Sequence, residues 1–315
     1  MDKIDISVII PVYNASRLIR RCIDSILAQK GNFSVEVIFV DDGSTDNSCE
    51  IIESYNNSHF TLLHQENSGP AKARNKGIEM ARGEYLSFLD ADDYWMPEFF
   101  ESMIGFMQRH EDCIAASTGQ IHKTIGGESV IKTDEEMVLD DFYSYWGKHH
   151  HICTGSMIAK TEIVKKLEGQ RTDLRVTEDL EFWALIATQG KWGVVPGILF
   201  VSDGTDTIKD SGWLKKMQIR WNNAPTIAEW EKRIICNVPL LAENESYKTA
   251  RGWIARNLIY CQLLSKREKL ALKEVNKYGN YFPQDKIGKL MNICKHTTLS
   301  WWLMCKLLQY REYHR

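Results

Sequence analysis

The chain has 315 residues, 43% hydrophobic and 26% charged, a globular composition that excludes wholesale disorder. With 20 Gly and 7 Pro it is neither collagen-like nor linker-dominated, and no apolar run reaches the roughly 18 residues of a membrane-spanning helix. The formal charge of −3 conceals a split: residues 246–315 carry 14 Lys and Arg against 4 Asp and Glu, while residues 1–245 carry 25 against 38. An acidic body with a tail of net +10 calls for an anionic partner, either nucleic acid or an anionic membrane face.

The first third alternates strand and helix. Ile6–Ile10 is a β-branched run that reads as a buried strand stopped at Pro11. Ser16 is a candidate cap for a helix whose apolar residues, Leu18, Ile19, Cys22, Ile23, Ile26 and Leu27, have helical spacing. Val35–Val40 is a second strand, Asp46–Tyr55 a helix and Phe60–Leu63 a third strand. Pro70 opens a helix to about Arg82, Glu84–Leu89 is a fourth strand, and Pro97 starts a helix to about His110. Ile114–Thr118 reads as a strand, Gly126-Gly127 as a turn, Glu178–Gln189 as a helix, and 192–202 as short strands around Pro196-Gly197. From about Gly212 the pattern is helical, with a break at Gly279-Asn280-Tyr281.

Helices between strands imply right-handed crossovers and a mainly parallel sheet, with ligands outside the carboxyl ends of the strands. Three such ends carry polar clusters: Pro11-Val12-Tyr13-Asn14, Asp41-Asp42 and Asp90-Ala91-Asp92-Asp93. Carboxylates one residue apart at a strand end suit a hard cation, which takes one or two carboxylates together with substrate phosphate oxygens.

Four segments occur in order: ISVIIPVYN at 6–14, VDDGSTD at 40–46, NSGPAKARNKG at 67–77 and GEYLSFLDADD at 83–93. Together they resemble the family 2 glycosyltransferases, enzymes of the GT-A fold, over about the first 110 residues and in one later element. The resemblance implies an α/β, Rossmann-like, mainly parallel sheet flanked by helices. It implies a catalytic domain over 1–210, with a nucleotide-sugar half at about 1–110 and an acceptor half at about 111–210, and a helical region over 211–315.

It also implies roles. Pro11, Tyr13, Asn14, Asp41 and Asp42 would hold base and ribose, Asn67, Gly69 and Arg74 would lie beside nucleotide and sugar, and Asp90 with Ala91 would contact ribose or sugar. Asp92, with Asp90, would bind Mn²⁺ or Mg²⁺. Uridine is the favoured base, with guanosine and thymidine left open. The later element, Thr177-Glu178-Asp179-Leu180-Glu181-Phe182-Trp183, resembles the family's Glu-Asp pair. It makes Asp179 the general base, with Glu178 the fallback; an acidic first helical turn accounts for the same charges. Thr154 and Gly155 precede it and are candidates for the acceptor pocket, or for a simple turn.

Departures from the family pattern matter. The stretch after the Glu-Asp pair, 200–207, has no His, so Asp203 or Asp206 is a candidate for a third oxygen ligand. Gln218-Ile219-Arg220-Trp221 is one residue short of the Q-x-x-R-W of processive synthases and reads as an amphipathic helix, so transfer of a single sugar is expected. Three consecutive His at 149–151 cannot face one ion from regular structure and read as a loop. Trp95, Trp146 and Trp183 lie near proposed site segments, but aromatics mostly fill the core.

The expected activity is inverting, metal-dependent transfer of one sugar from a UDP-sugar to an acceptor hydroxyl. Similar enzymes imply a lipid-linked saccharide acceptor and bacterial polysaccharide biosynthesis. No nucleic acid partner is expected, and a homo-oligomer is left open. The 8 Cys show no C-x-x-C pair and the N-terminus lacks a signal-peptide pattern, which leads us to expect reduced thiols and a cytoplasmic protein. Trp301, Trp302, Leu303, Leu307 and Leu308 in the basic tail are expected to meet the inner membrane surface, or else to complete a helical core. Two rival functions remain. A nucleotidyltransferase would need a Gly-rich loop after the first strand, where this chain has Pro11–Ser16 without glycine, and a nucleic-acid-binding protein would leave the carboxylate segments unexplained.

Overall fold

The computed structural model describes residues 3–124, 126–148, 152–204 and 213–314. The expected His149-His150-His151 loop and Asp206 lie outside the described residues. The chain divides into two compact units. One holds the described residues of Met1–Phe142, His151–Thr172 and Phe182–Ile208; the other holds those of Tyr143–His150, Asp173–Glu181 and Lys209–Arg315.

The first unit is built on one sheet. Its strands are β1 (Ile6–Val12), β2 (Val35–Asp41), β3 (Phe60–His64), β4 (Tyr85–Phe88), β5 (Tyr94–Trp95), β6 (Cys113–Thr124), β7 (Gly127–Ile131), β8 (Met137–Leu139), β9 (Met157–Lys160) and β10 (Lys191–Asp203). The order is β3-β2-β1-β4-β9-β6-β10-β5, with β7 on β6 and β8 on β10. The α/β class holds, and parallel pairs lie on both sides of β9, since β10 also runs parallel to β6. The pairs β3–β2, β2–β1 and β1–β4 are parallel, whereas β9 runs antiparallel to both β4 and β6.

The helices α1 (Ile19–Leu27), α2 (Ser48–Glu53), α3 (Pro70–Met80) and α4 (Phe99–Arg109) connect and cover these strands. Strands β1 and β2 are buried along nearly their whole length, as expected for a sheet covered on both faces. In α1 the buried Ile19, Cys22, Ile23 and Ile26 form one face. Each fully buried Ile or Phe contributes about 1.5–3 kcal/mol, more than a single hydrogen bond, so side-chain burial fixes the register.

Several local readings change. β1 runs through Pro11 to Val12 rather than stopping at it. Val12 O accepts from Asp42 N on the β2 side, and Ile9 O accepts from Leu89 N on the β4 side. Pro11, two residues after Ile9, would direct its N–H toward β4, where pairing ends at Ile9–Phe88, so no ladder bond is lost. Ser16 does not cap α1: the cap residue is Leu18, and Ser16 N donates to Asp46 Oδ2. The 191–203 stretch is one strand, not several, with its register shifted around Pro196-Gly197.

The second unit is helical. It includes α8 (Trp213–Asn222), α9 (Ile227–Asn237), α10 (Glu245–Leu264), α11 (Glu268–Tyr278), α12 (Lys286–Cys294) and α13 (Thr298–Tyr313), with a short 3₁₀ turn at Gly279–Tyr281. Three shorter helices complete the chain: α5 (Phe142–Gly147), α6 (Thr161–Lys166) and α7 (Glu178–Ile186). A capping box between Thr226 and Glu229 starts α9 and leads to the fully buried Trp230. Trp221, from the Q-I-R-W segment, is buried against Tyr313, while Ile219 is exposed, as an amphipathic helix requires. In α13, Trp301 and Leu308 are buried and cannot serve a surface role, which corrects two of the five tail residues singled out above. Leu299, Trp302, Leu303, Leu307 and Tyr310 are exposed at helical spacing and form an apolar stripe. Among the described residues no helix is long and apolar enough to cross a membrane.

A single carboxylate ties the amino end of the parallel strands. Glu36 is buried and accepts from Ser7 Oγ (2.6 Å), Arg82 N (2.6 Å), Arg82 Nε (2.9 Å) and Arg82 Nη2 (2.7 Å). Burial opposes its ionisation, but these bonds outweigh it and hold the carboxyl below its ordinary value of 4.5. The stabilisation is therefore complete above about pH 4.5 and is lost as pH falls through the lower folded value. Replacing Glu36 by Gln should cost about 1–3 kcal/mol at neutral pH, the range for a buried group left mispaired. In denaturant melts of both proteins, the difference should shrink below about pH 4. A gap independent of pH would show that charge plays no part.

Candidate active site

The carboxyl ends of β1, β2 and β4 meet at one edge of the sheet, and the loops leaving them are knitted together. Asn14 has φ 51°, and its Oδ1 accepts from Thr45 N at 2.8 Å. Asn14 N donates to Ser44 Oγ, and Ala15 N to Ser48 Oγ. Held between these loops, Tyr13 presents its ring to solvent at 54% exposure, as a stacking residue must.

Asp41 and Asp42 are both buried, and their bonds differ. Asp41 Oδ1 accepts from Ser44 N (2.9 Å), and Oδ2 lies 3.1 Å from His64 Nδ1. Burial opposes ionisation of Asp41, but the bonds from Ser44 and His64 prevail and keep its carboxyl below the ordinary range. Asp42 spends both oxygens on the next loop. Oδ1 accepts from Gln65 Nε2 (2.7 Å) and Ser68 N (2.8 Å), and Oδ2 from Gly69 N (2.8 Å). Gly69, at φ 93°, turns the chain directly into Pro70 at the start of α3. Asn67 lies exposed in this loop, while Asp42 acts as the fastener beneath it.

Arg74 is buried rather than solvated. Its helix approaches β1 closely: a Cβ at Gly77 would fall 2.5 Å from Ile9 Cγ2. From that position Arg74 Nη2 reaches Asp90 Oδ1 at 2.5 Å and Nη1 reaches Gln170 Oε1 at 3.3 Å. Lys72 faces solvent.

The Asp90–Asp93 turn is fixed from both sides. β5 pairs with β10, Met96 N donates to Leu199 O, and Asp203 N donates to Asp93 Oδ1 at 2.9 Å. Arg21 bridges the turn, giving Nη2 to Asp92 O (2.7 Å) and Nη1 to Asp203 Oδ2 (2.6 Å), and it lies over the Tyr94 ring at 4.7 Å. Ala91 is buried, whereas the Asp92 side chain opens to solvent. The surrounding protein raises the Asp92 carboxyl, and the charges of Asp90 and Asp203 add to it. Burial, then Asp90 and Asp92, push Asp93 up to about 8. A divalent cation fits this donor set. Asp90, ion-paired with Arg74 through Oδ1, and Asp92, which feels both the negative charge of Asp90 and the positive charge of Arg21, supply hard oxygen donors of the kind such an ion takes. Asp203, proposed as an additional ligand, is buried and engaged by Arg21.

Thr154 and Gly155 form a buried 3₁₀ turn. Gly155 O accepts from Trp95 Nε1 (2.6 Å), and a Cβ at 155 would fall 2.2 Å from the Phe200 ring, so Gly155 is required by packing. Trp95, Trp146 and Trp183 are all buried. Glu178 and Asp179 belong to the second unit, in the first turn of α7. The turn follows Thr177, at φ 64°, whose carbonyl accepts from Trp230 Nε1 (3.2 Å). Two residues on, the fully buried Glu181 receives Arg233 through Nε (2.9 Å) and Nη2 (2.6 Å). Sequence reasoning missed Arg21 and Gln170 and gave Asp93, within its strand-end cluster, no role of its own. Their partners lie 71 to 182, 96 and 110 positions away, beyond any local pattern.

The family model described as Glycosyl transferase family 2 matches residues 7–167, more than half of the chain. The chain belongs to that family. An uncharacterized glycosyltransferase, YibD of Escherichia coli, is 48% identical over 101 residues, 31% of this chain and 29% of that protein. The chain thus spans under a third of the length of such a relative. The putative teichuronic acid biosynthesis glycosyltransferase TuaG of Bacillus subtilis is 31% identical over 192 residues, 59% of this chain and 73% of that protein. Among solved structures, S. aureus TarS 1–349 in complex with UDP-GlcNAc superposes with a TM-score of 0.60 at 18% identity, covering 98% of this chain and 92% of that one. The Pyrobaculum calidifontis mannosyltransferase PcManGT in complex with GDP-Man and Mn²⁺ gives 0.56 at 18% identity, covering 98% and 85%. At such identity these structures establish the GT-A-type fold.

The Asp42 bonds generate a test within this family 2 chain. Asp42→Ala leaves Ser68 N and Gly69 N without their acceptor and should cost about 1–3 kcal/mol. Amide exchange should accelerate at residues 65–69 ahead of the sheet. Unchanged protection there would show that the loop holds itself.

Proposed function

We propose that this family 2 member is an inverting, metal-dependent glycosyltransferase that moves one sugar from a UDP-sugar to an acceptor hydroxyl. The observation that carries this reading is the meeting of Tyr13, Asp41, Arg74, Asp90 and Asp92 at one sheet edge. Tyr13 offers an exposed face for the base, and Asp41, kept ionised, accepts from a pyrimidine imide N–H. Arg74, locked by Asp90, holds that carboxylate toward ribose or sugar hydroxyls. Asp92, with Asp90, would hold Mn²⁺ or Mg²⁺, which neutralises charge developing on the departing diphosphate. Asp179 would take the proton of the acceptor hydroxyl as it attacks the anomeric carbon, with Glu178 beside it. The solved complexes of TarS with UDP-GlcNAc and of PcManGT with GDP-Man and Mn²⁺ support the nucleotide-sugar donor class.

Turnover tests the two carboxylates separately across a panel of nucleotide-sugars. Asp92→Asn should lose at least about two orders of magnitude and all stimulation by Mn²⁺. Asp179→Asn should lose as much in turnover while donor affinity stays within a few-fold. Full activity of Asp92→Asn, or collapse of donor binding in Asp179→Asn, contradicts the respective role.

The acceptor in this reading is a lipid-linked saccharide of a bacterial polysaccharide, met at the inner membrane face. The named role of TuaG supports the pathway class, and the basic tail with its α13 stripe supports the location. Each basic residue near an anionic bilayer contributes about 1 kcal/mol, and Trp302 is suited to the interface. Co-sedimentation with anionic vesicles should fall when Trp302, Leu303 and Leu307 are together changed to Ser, and should weaken with salt. Equal sedimentation of the variant and the parent would remove the stripe from membrane binding.

A further inference from the structure

Beside the donor edge lies a second ligand set with different chemistry. Asp41 and His64 are the last residues of neighbouring parallel strands and stand in register. Cys49, the second residue of α2, approaches them from the helix side. One carboxylate oxygen, one thiol sulfur and one imidazole nitrogen from these three residues all lie within 4.8 Å of one another. Among the described residues they form the one such group of three.

The donor types narrow the ligand. Thiolate and imidazole select zinc-class ions over Mg²⁺ and Mn²⁺, which prefer oxygen. Bonds of about 2.0–2.3 Å to a tetrahedral ion need donors a little closer together than 4.8 Å. Asp41 is anchored, its second oxygen held by Ser44 N at 2.9 Å, as an outer-shell donor orients a ligating carboxylate. His64, with a side chain 59% exposed, supplies the adjustable arm. Three protein donors and an exposed flank leave a fourth position for water or another ligand.

We propose that Asp41, Cys49 and His64 form a binding site for a divalent cation of the zinc class, distinct from the Asp90–Asp92 site. Binding forms a metal–sulfur bond and releases the thiol proton to solvent. The ion occupies Asp41 Oδ2, so it competes with a uridine nucleotide; this consequence alone rests on the proposed function.

The test uses the intact chain, first stripped with chelator. Titration with Co²⁺ should produce the near-ultraviolet thiolate-to-cobalt absorption at one equivalent, reversed by Zn²⁺. Cys49→Ser should abolish that band. His64→Ala, an exposed change that leaves the thiol in place, should weaken Zn²⁺ binding by at least about tenfold, since losing a ligand exceeds the loss of an outer-shell partner. Asp92→Asn should leave both readouts unchanged. Absence of the band in the parent chain, or its survival in Cys49→Ser, overturns the site, as does parental Zn²⁺ affinity in His64→Ala. Adding UDP should raise the Zn²⁺ concentration needed. If Zn²⁺ binding is lost in Cys49→Ser, weakened in His64→Ala and weakened also in Asp41→Asn but UDP does not compete, the metal site stands and Asp41 is removed from the nucleotide edge.

Discussion

Crowded negative charge at the carboxyl edge of a parallel sheet is the constraint around which this molecule is arranged. Parallel strands linked by helices bring their carboxyl ends to one side, so Asp41, Asp42 and Asp90–Asp93 are gathered by topology. Burial first, and repulsion from the neighbouring carboxylates second, raise Asp92 and Asp93 above the ordinary carboxylate value. The protein counters this with arginines and amide groups. Arg74 is fixed on Asp90, Arg21 ties Asp203 to the turn, and Asp42 is saturated by the 65–69 loop. The Asp92 side chain is left open to solvent, Arg21 hydrogen-bonding its carbonyl rather than its carboxylate, and there a substrate-bound cation would complete the balance in the proposed function.

The same economy explains the division of labour within each pair. Asp41 and Asp42 are adjacent and both buried, yet one closes a loop and the other stays near an exposed His. Asp90 positions and is positioned by an arginine, whereas Asp92 meets solvent. Neighbouring carboxylates thus acquire separate tasks from their hydrogen-bond partners rather than from their own chemistry.

Much of this was legible in the sequence because it is local. Buried β-branched runs marked β1 and β2, short apolar runs marked β3 and β4, Pro70 marked the start of α3, and acidic clusters after strands marked the carboxylate edge. Local rules failed where tertiary context decides. Pro11 stays within its strand because the neighbour on that side has already ended. Ser16 is drawn away from capping by Asp46. Gly155 was open to two readings, acceptor pocket or turn, and the turn it forms is packed against the Phe200 ring and bonded by Trp95 Nε1, contacts no local pattern reveals. In α13, Trp301 and Trp302 are adjacent in sequence and opposite in fate, one buried and one exposed, because α13 is apolar on nearly all faces and only packing decides which side is covered.

The central claim is that the carboxylate edge is a nucleotide–diphosphate site completed by a divalent cation. Isothermal titration of the unmodified chain with UDP, once in chelator and once in Mn²⁺, tests it most directly. The account predicts affinity at least about tenfold higher with Mn²⁺, roughly 1.4 kcal/mol or more, because Asp92 and Asp90 would hold the ion and the ion would offset the diphosphate charge. Equal UDP affinity in chelator and in Mn²⁺ would contradict it.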